Sequence, residues 1–239
     1  MMTGSMAIRD LSFGAMELRV DTSQVLDPGP YLFDPTAARM NVVPVSQGGR
    51  QAAWFVDGDF GAAVLRHYRR GGLMARLNSH HYWWTGAEST RAYAEFQLLH
   101  YMAGAGLPVP EPLAASYTRQ GLFYTASILV RRIAHVQTLA HVLSQGHHQA
   151  VAGAVLAMHQ AGVWHADLNA YNILVNEQGL VWLIDFDKGR RLPMTATLRT
   201  ANLARLRRSL IKVAGEQGEQ WWQPFNQSYT DQLKVLSPP

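Results

Sequence analysis

The chain has 239 residues, 48% of them hydrophobic and 16% charged, with a net charge of +4 and no cysteine; it is long enough for one large domain or two small lobes and too apolar for a disordered chain. The absent cysteine excludes a disulfide scaffold, thiolate catalysis and zinc held by thiolates. No apolar run approaches the roughly 20 residues that span a bilayer, and Arg9 and Asp10 interrupt the first stretch that would serve as a signal-peptide core, so a soluble, unexported chain is expected.

Residues 41–68 read as three strands: 41–46 and 51–56 are apolar around the turn at Gly48 and Gly49, and 62–68 follows the turn at Asp57, Gly58 and Asp59. A helix is expected from Thr85, where Thr85 and Glu88 have capping-box spacing. It carries Tyr93, Phe96, Leu99 and Met102 at three-residue intervals and ends at Gly104 and Gly106. The proline-rich stretch 107–112 is a stiff connector. Strands follow at 113–117 and 122–133, and from Thr138 the pattern is helical to Gln160, broken near Gly146. The first half is therefore strand-rich with one prominent helix and the second helix-rich, with a boundary near Ile133.

Two surface features stand out. His80, His81, Tyr82, Trp83 and Trp84 lie just after Arg69, Arg70 and Arg76, a mix that suits either a membrane interface or internal packing. Trp221 and Trp222 suit packing near the C-terminus, and the paired histidines lack the spacing of metal ligands. Five basic residues and no acid lie between Arg199 and Lys212, which leaves the rest of the chain at −1. At helical spacing Leu203, Leu206, Leu210 and Val213 share a face opposite Arg205, Arg208 and Lys212. The excess is local and points to an anionic partner at one place. Nucleic acid is not expected, since no recognisable binding motif accompanies the stripe.

The chemistry concentrates at His165, Asp167 and Asn172, spaced as H-x-D-x-x-x-x-N, followed thirteen residues later by Asp185 within a hydrophobic-Asp-Phe sequence. Residues 173–175 and 180–186 read as two antiparallel strands around a turn at 176–179. Counted from that turn, Asn172 and Asp185 differ in level by about two residues of ~3.4 Å, so their oxygens can meet at one site. A carboxylate beside a carboxamide suits Mg2+ shared with phosphates. Asp167, five residues before Asn172, is placed to accept a proton from a hydroxyl held there.

On these motifs the sequence resembles the protein-kinase-like superfamily. The resemblance implies an α+β, two-lobed protein-kinase-like fold. Residues 1–133 would form an antiparallel-sheet nucleotide-binding lobe with one prominent helix, and 134–239 a mainly helical catalytic and acceptor-binding lobe. It implies ATP and Mg2+ as cofactors, with Asp167 as base, His165 opening its loop, and Asn172 and Asp185 holding metal. Arg66 would take the place of the usual lysine, with Glu95 as its ion-pair partner, although Arg69 or Arg70 could supply that charge instead. Gly48 and Gly49 would cover the phosphates, and Arg132, Ile133 and Ala134 would line the adenine as a hinge. There is no G-x-G-x-x-G, no arginine before Asp167 and no A-P-E, so a protein kinase is not expected.

Within that superfamily the stretches 65–72, 165–172, 184–190 and 202–209 resemble the 3-deoxy-D-manno-octulosonic acid (Kdo) kinases of lipopolysaccharide assembly and their core-heptose relatives. The resemblance implies transfer of the ATP γ-phosphoryl group to a Kdo hydroxyl, the 4-position, on an anionic Kdo-lipid A precursor. It also implies a peripheral position on the cytoplasmic face of the inner membrane, with no obligate protein partner. Lys188, Arg190, Arg191 and the 199–212 stripe would meet the acceptor's anionic groups. The alternatives are a heptose- or aminoglycoside-type phosphotransferase and a catalytically silent kinase-like scaffold. Cationic aminoglycosides fit the basic segment poorly, and a scaffold has no need of Asp167, Asn172 and Asp185 together.

Overall fold

The computed structural model describes residues 8–45, 53–68 and 81–236. Gly48, Gly49, Arg69, Arg70, Arg76 and His80 lie outside the described residues. The chain divides into two compact units, one made of residues 1–97 and 111–133, the other of 98–110 and 134–239.

The first unit is built on one antiparallel sheet. Its strands are β1 (Ile8–Phe13), β2 (Met16–Asp21), β3 (Asn41–Pro44), β4 (Ala53–Gly58), β5 (Gly61–His67), β6 (Tyr82–Trp83), β7 (Pro112–Gln120) and β8 (Phe123–Arg131). The order is β1-β2-β7-β8-β5-β4-β3, with β6 also pairing β8 at Tyr124 and Phe123. The three expected strands within 41–68 are β3 to β5. The first hairpin, β1–β2, escaped the sequence reading because its two-residue connection, Gly14-Ala15, carries a weak turn signal. It turns at Gly14 with φ 62°, a left-handed conformation that glycine adopts at little cost. Leu18, Val20, Phe33, Val56, Leu65, Leu113 and Leu129 are buried together and form the core of this unit.

The helix expected from Thr85 begins later, as α1 (Arg91–Gly104). Residues Ala87–Ser89 form a 3-10 turn, and the first helical bond runs from the Ala94 N–H to the Thr90 carbonyl. Glu88 does not cap the helix because Arg19 claims it. The buried Arg19 guanidinium donates through Nη1 and Nη2 to both Glu88 oxygens (2.9 and 2.8 Å) and grips Asp10 on its other edge. A two-pronged charged contact outweighs a single neutral cap.

The second unit contains β9 (Val136–Thr138), α2 (Leu139–Val142), α3 (His148–Gln160), β10 (Val163–Trp164), β11 (Ile173–Asn176), β12 (Val181–Leu183), β13 (Arg190–Arg191) and α4 (Ala196–Leu236). Strands β12-β11-β9 form one small sheet and β10-β13 another. Residues 98–110 join this unit through specific bonds. The Tyr101 hydroxyl donates to the Ala161 carbonyl (3.0 Å), the Leu183 N–H donates to the Pro108 carbonyl (2.8 Å), and Arg191 lies 4.0 Å over the Tyr101 ring.

Helix α4 is two helical segments joined at Gly215, whose φ of 55° and ψ of −125° interrupt the helix. At Gly218 the segments approach so closely that a Cβ would sit 2.1 Å from the Leu210 carbonyl oxygen. Leu206 and Leu210 on the first segment and Trp221, Phe225 and Tyr229 on the second are buried. Trp221 and Trp222 are thus packing residues, as expected, and the Trp221 indole N–H donates to the Gly146 carbonyl (2.7 Å). Among the described residues no helix is long and apolar enough to cross a membrane.

Candidate active site

The loop between β10 and β11 is wound around the backbone of Asp167. His165 is wholly buried. Its Nε2–H donates to the Ile184 carbonyl (3.0 Å), and its Nδ1 accepts the Asp167 N–H (3.0 Å). Burial pushes its pKa below the ordinary histidine value, so the ring is neutral, with both nitrogens committed. Both ring nitrogens of His165, expected among the catalytic residues, are thus engaged with backbone groups of Ile184 and Asp167. Asn169 Oδ1 accepts the N–H groups of Tyr171 and Asn172, and its amide donates to the Asp167 carbonyl (3.1 Å). The Asn172 amide donates to the same carbonyl (2.9 Å).

The strands β11 and β12 form the expected hairpin, with Ile173 opposite Leu183. The Ile184 N–H donates to the Asn172 carbonyl (3.0 Å), so Asn172 and Asp185 differ by one level rather than two. Asp185 itself has φ 63°, a conformation that costs a non-glycine residue about 1–3 kcal/mol and gathers at functional sites. Two residues after Asp187, Gly189 is required by crowding: a Cβ there would meet Leu98 at 2.8 Å and the Phe186 carbonyl at 2.9 Å.

The donor set fits Mg2+. With the Asn172 amide nitrogen turned onto the Asp167 carbonyl, its oxygen is the atom left for a ligand, and Asp185 stands one level away across the hairpin. Among the described residues no group of three or more His, Cys, Asp or Glu could cage a metal ion. Two hard oxygen ligands with water and phosphate completing the shell is the magnesium pattern.

Helix α4 supplies what the sequence reading missed. Asn202, buried, clasps the His165 backbone from both sides: Oδ1 accepts the His165 N–H (3.2 Å) and Nδ2 donates to the His165 carbonyl (2.8 Å). Ser209 Oγ accepts the Ala170 N–H (3.1 Å). Between them Arg205 donates through Nε and Nη2 to Asp167 Oδ1 (2.8 and 2.5 Å). Positions 202, 205 and 209 share one helix face, and that spacing was the available signal. Two cations of the stripe are paired, Arg205 with Asp167 and Arg207 with Glu219 (2.5 Å); Arg208 and Lys212 are exposed. Burial by itself would raise the Asp167 carboxyl, but the hydrogen bonds from Arg205 and Asn169 and the Arg205 charge outweigh it and hold it below the usual carboxylate value.

In the first unit Arg66 on β5 and Glu95 on α1 come together: Nη2 donates to Oε1 at 2.6 Å, and the Tyr68 hydroxyl donates to Oε2 at 2.5 Å. Glu95 is buried, so this carboxylate is held by a cation and a phenol at once. At the expected hinge, the Arg132 N–H donates to the Ala62 carbonyl (3.0 Å) and its guanidinium lies 3.9 Å over the Phe55 ring. Ile133 ends the first unit and Ala134 resumes the second.

Comparison with known proteins points the same way. Residues 37–229 match the lipopolysaccharide kinase (Kdo/WaaP) family. The chain is 50% identical over 190 residues to a 3-deoxy-D-manno-octulosonic acid kinase of Stenotrophomonas maltophilia (strain R551-3), covering 77% of this chain and 76% of that protein. It is 47% identical over 190 residues to one of Xylella fastidiosa (strain M12), with the same coverage. It is 46% identical over 208 residues to one of Xanthomonas campestris pv. campestris (strain B100), covering 85% and 82%. With a family match that takes in both units, and with matches of this extent, the chain belongs to the lipopolysaccharide kinase (Kdo/WaaP) family.

Proposed function

We propose that the chain is a Kdo kinase that transfers the γ-phosphoryl group of ATP to the 4-hydroxyl of Kdo on a lipid A precursor. The observation that carries this reading is the half-exposed Asp167 carboxylate, set beside the Asn172–Asp185 pair in a chain whose similar proteins bear that name. The first compact unit reads as the nucleotide-binding lobe of a two-lobed kinase-like fold and the second as its catalytic and acceptor lobe. Asn172 and Asp185 would hold Mg2+, which supplies charge neutralisation for the phosphates. Asp167 orients the sugar hydroxyl and takes its proton late, as the new O–P bond forms and the β,γ-bridging bond breaks to release ADP. The Arg66–Glu95–Tyr68 cluster supports phosphate binding by fixing the guanidinium. Lys188, Arg190, Arg191, Arg205, Arg208 and Lys212 make the acceptor side basic, which suits a sugar acid on a phosphorylated lipid. A lipid-anchored acceptor also calls for peripheral attachment to the cytoplasmic face of the inner membrane.

Mass spectrometry of a reaction containing ATP, Mg2+ and Kdo-lipid A precursor tests this. A product heavier by one phosphate, absent with Asp167→Ala, is expected, and NMR of that product would identify the 4-position. ATP hydrolysis or nucleotide binding without product would move the acceptor to heptose or another small molecule. Absence of both would favour a silent scaffold.

A further inference from the structure

Arg205 is the one cation of the α4 stripe that is in contact with Asp167. Its grip is one-sided: Nε and Nη2 both land on Oδ1, at 2.8 and 2.5 Å. Both Arg205 bonds leave Oδ2 to other partners, and among the described residues nothing accepts from Arg205 Nη1. A guanidinium carries five N–H donors in a fixed plane, so the edge facing away from Asp167 is available for a second anion. The two side chains are about half exposed, at 46% and 49%, open enough for a ligand to reach both. The pair is also held in place. Asn202, three residues earlier, and Ser209, four residues later, tie the same helix face to His165 and Ala170. An exposed ion pair adds little stability, and a cation against a base weakens it as a base. The contact therefore needs another reason.

We propose that Arg205 bridges the base and the acceptor: it holds Asp167 by Oδ1, offers its free edge to the carboxylate of a sugar acid, and so delivers the reacting hydroxyl to Oδ2. This rests on the reading that the acceptor is Kdo, an acid by its chemistry. Arg205 is then the specificity residue that separates acidic sugars from neutral ones. A planar fork suits this task where a lysine would not, since one guanidinium can address two carboxylates along different edges.

The test pairs enzyme variants with a modified acceptor. Wild type, Arg205→Gln, Arg205→Lys and Arg208→Gln are assayed with Kdo-lipid A precursor and with its carboxyl methyl ester in mixed micelles. Wild type should lose about 100-fold in kcat/KM on esterification, mostly through KM. Arg205→Gln should already show a loss of that order on the acid and fall less than about 3-fold further on the ester, the signature of two changes that remove one interaction. Arg205→Lys should lie between, and Arg208→Gln should keep the wild-type sensitivity to esterification. Equal ester sensitivity in wild type and Arg205→Gln would overturn the proposal by placing carboxylate recognition elsewhere. A rise in kcat for Arg205→Gln would overturn it in favour of an inhibitory latch on Asp167. A kcat loss equal on both acceptors with KM unchanged would reduce Arg205 to orienting the base. Failure of wild type on the acid itself would instead strike the Kdo reading on which the proposal stands.

Discussion

Asn202 meets both backbone polar groups of His165, accepting its N–H at 3.2 Å and donating to its carbonyl at 2.8 Å. Asp167 follows two residues later, so a side chain on α4 sets the backbone position of the proposed base. Asn202→Ala removes both bonds, and the contact with His159 Nε2, at a buried site, where each unpaired group costs about 1–3 kcal/mol. We expect stability to fall by about 2–4 kcal/mol and kcat by about 10-fold or more, as misplacement of a catalytic group does. Ser209→Ala, which removes one partly buried acceptor, should cost about 1 kcal/mol. Urea unfolding with steady-state kinetics checks both, and equal effects of the two substitutions would contradict the ranking.

The Arg66–Glu95–Tyr68 cluster predicts an order among substitutions. Arg66→Met withdraws the cation from a buried carboxylate and should cost about 3–5 kcal/mol. Arg66→Lys keeps the charge without the guanidinium fork and should cost less, with a smaller rise in the KM for ATP. Tyr68→Phe removes the phenol from Oε2 alone and should cost about 1–3 kcal/mol. Thermal melts and ATP titrations decide this. A Lys variant no better than Met would show that the planar fork, rather than charge, is what Glu95 requires.

His159 predicts a dependence of stability on pH. It is buried, with Nε2–H facing Asn202 Oδ1 (3.3 Å) and Nδ1 accepting from the Tyr229 hydroxyl (2.8 Å). Burial lowers its pKa from 6.5 to about 4. Above pH 6.5 the ring is neutral in both folded and unfolded chains, and its contribution is constant. As pH falls from there towards 4, the unfolded chain takes up a proton that the folded one refuses, and stability declines. Between pH 7.5 and 5 the wild type should lose about 2 kcal/mol from this residue. His159→Gln should show a pH loss smaller by that amount, measured by urea unfolding at the two pH values. An unchanged slope would remove His159 as the cause.

Trp83 and Trp84 were ambiguous in the sequence, and the fold divides them. Trp84 packs on Tyr117 (ring centroids 5.0 Å apart) with Arg119 5.0 Å over its ring. Trp83 is 58% exposed beside Phe123, near Leu122, which is 63% exposed. If this apolar tip is the membrane contact, the pair Trp83→Ala, Leu122→Ala should weaken co-sedimentation with anionic phospholipid vesicles by about 10-fold, the worth of burying two such side chains less their partial exposure in place. Turnover of a water-soluble acceptor should be unchanged. Undiminished sedimentation would assign the contact elsewhere.

The hairpin of β11 and β12 and the motif around it were legible because their information is local. Turn residues at 176–179 set the register, so Asn172 and Asp185 could be brought together by counting, with an error of one level. The start of α1 was misread because a distant arginine, Arg19, outbid the local cap for Glu88. The basic helix was legible as amphipathic, but its ties to the loop were not, since Arg205 and Asn202 reach that loop across 38 and 37 residues of chain.

The sequence by itself determined which groups this protein has at hand: a carboxylate in the H-x-D loop, an amide and a second carboxylate on the two sides of a hairpin, a helix glutamate, and a basic stripe. Those properties follow from residue type, spacing and local hydrogen bonding. Only the tertiary structure decided that both ring nitrogens of His165 meet backbone groups, that Asn202 clasps the His165 backbone, and that Arg205 closes on one oxygen of Asp167. Such contacts join segments far apart in sequence, and burial of the surrounding core, rather than any local preference, is what sets where those segments meet.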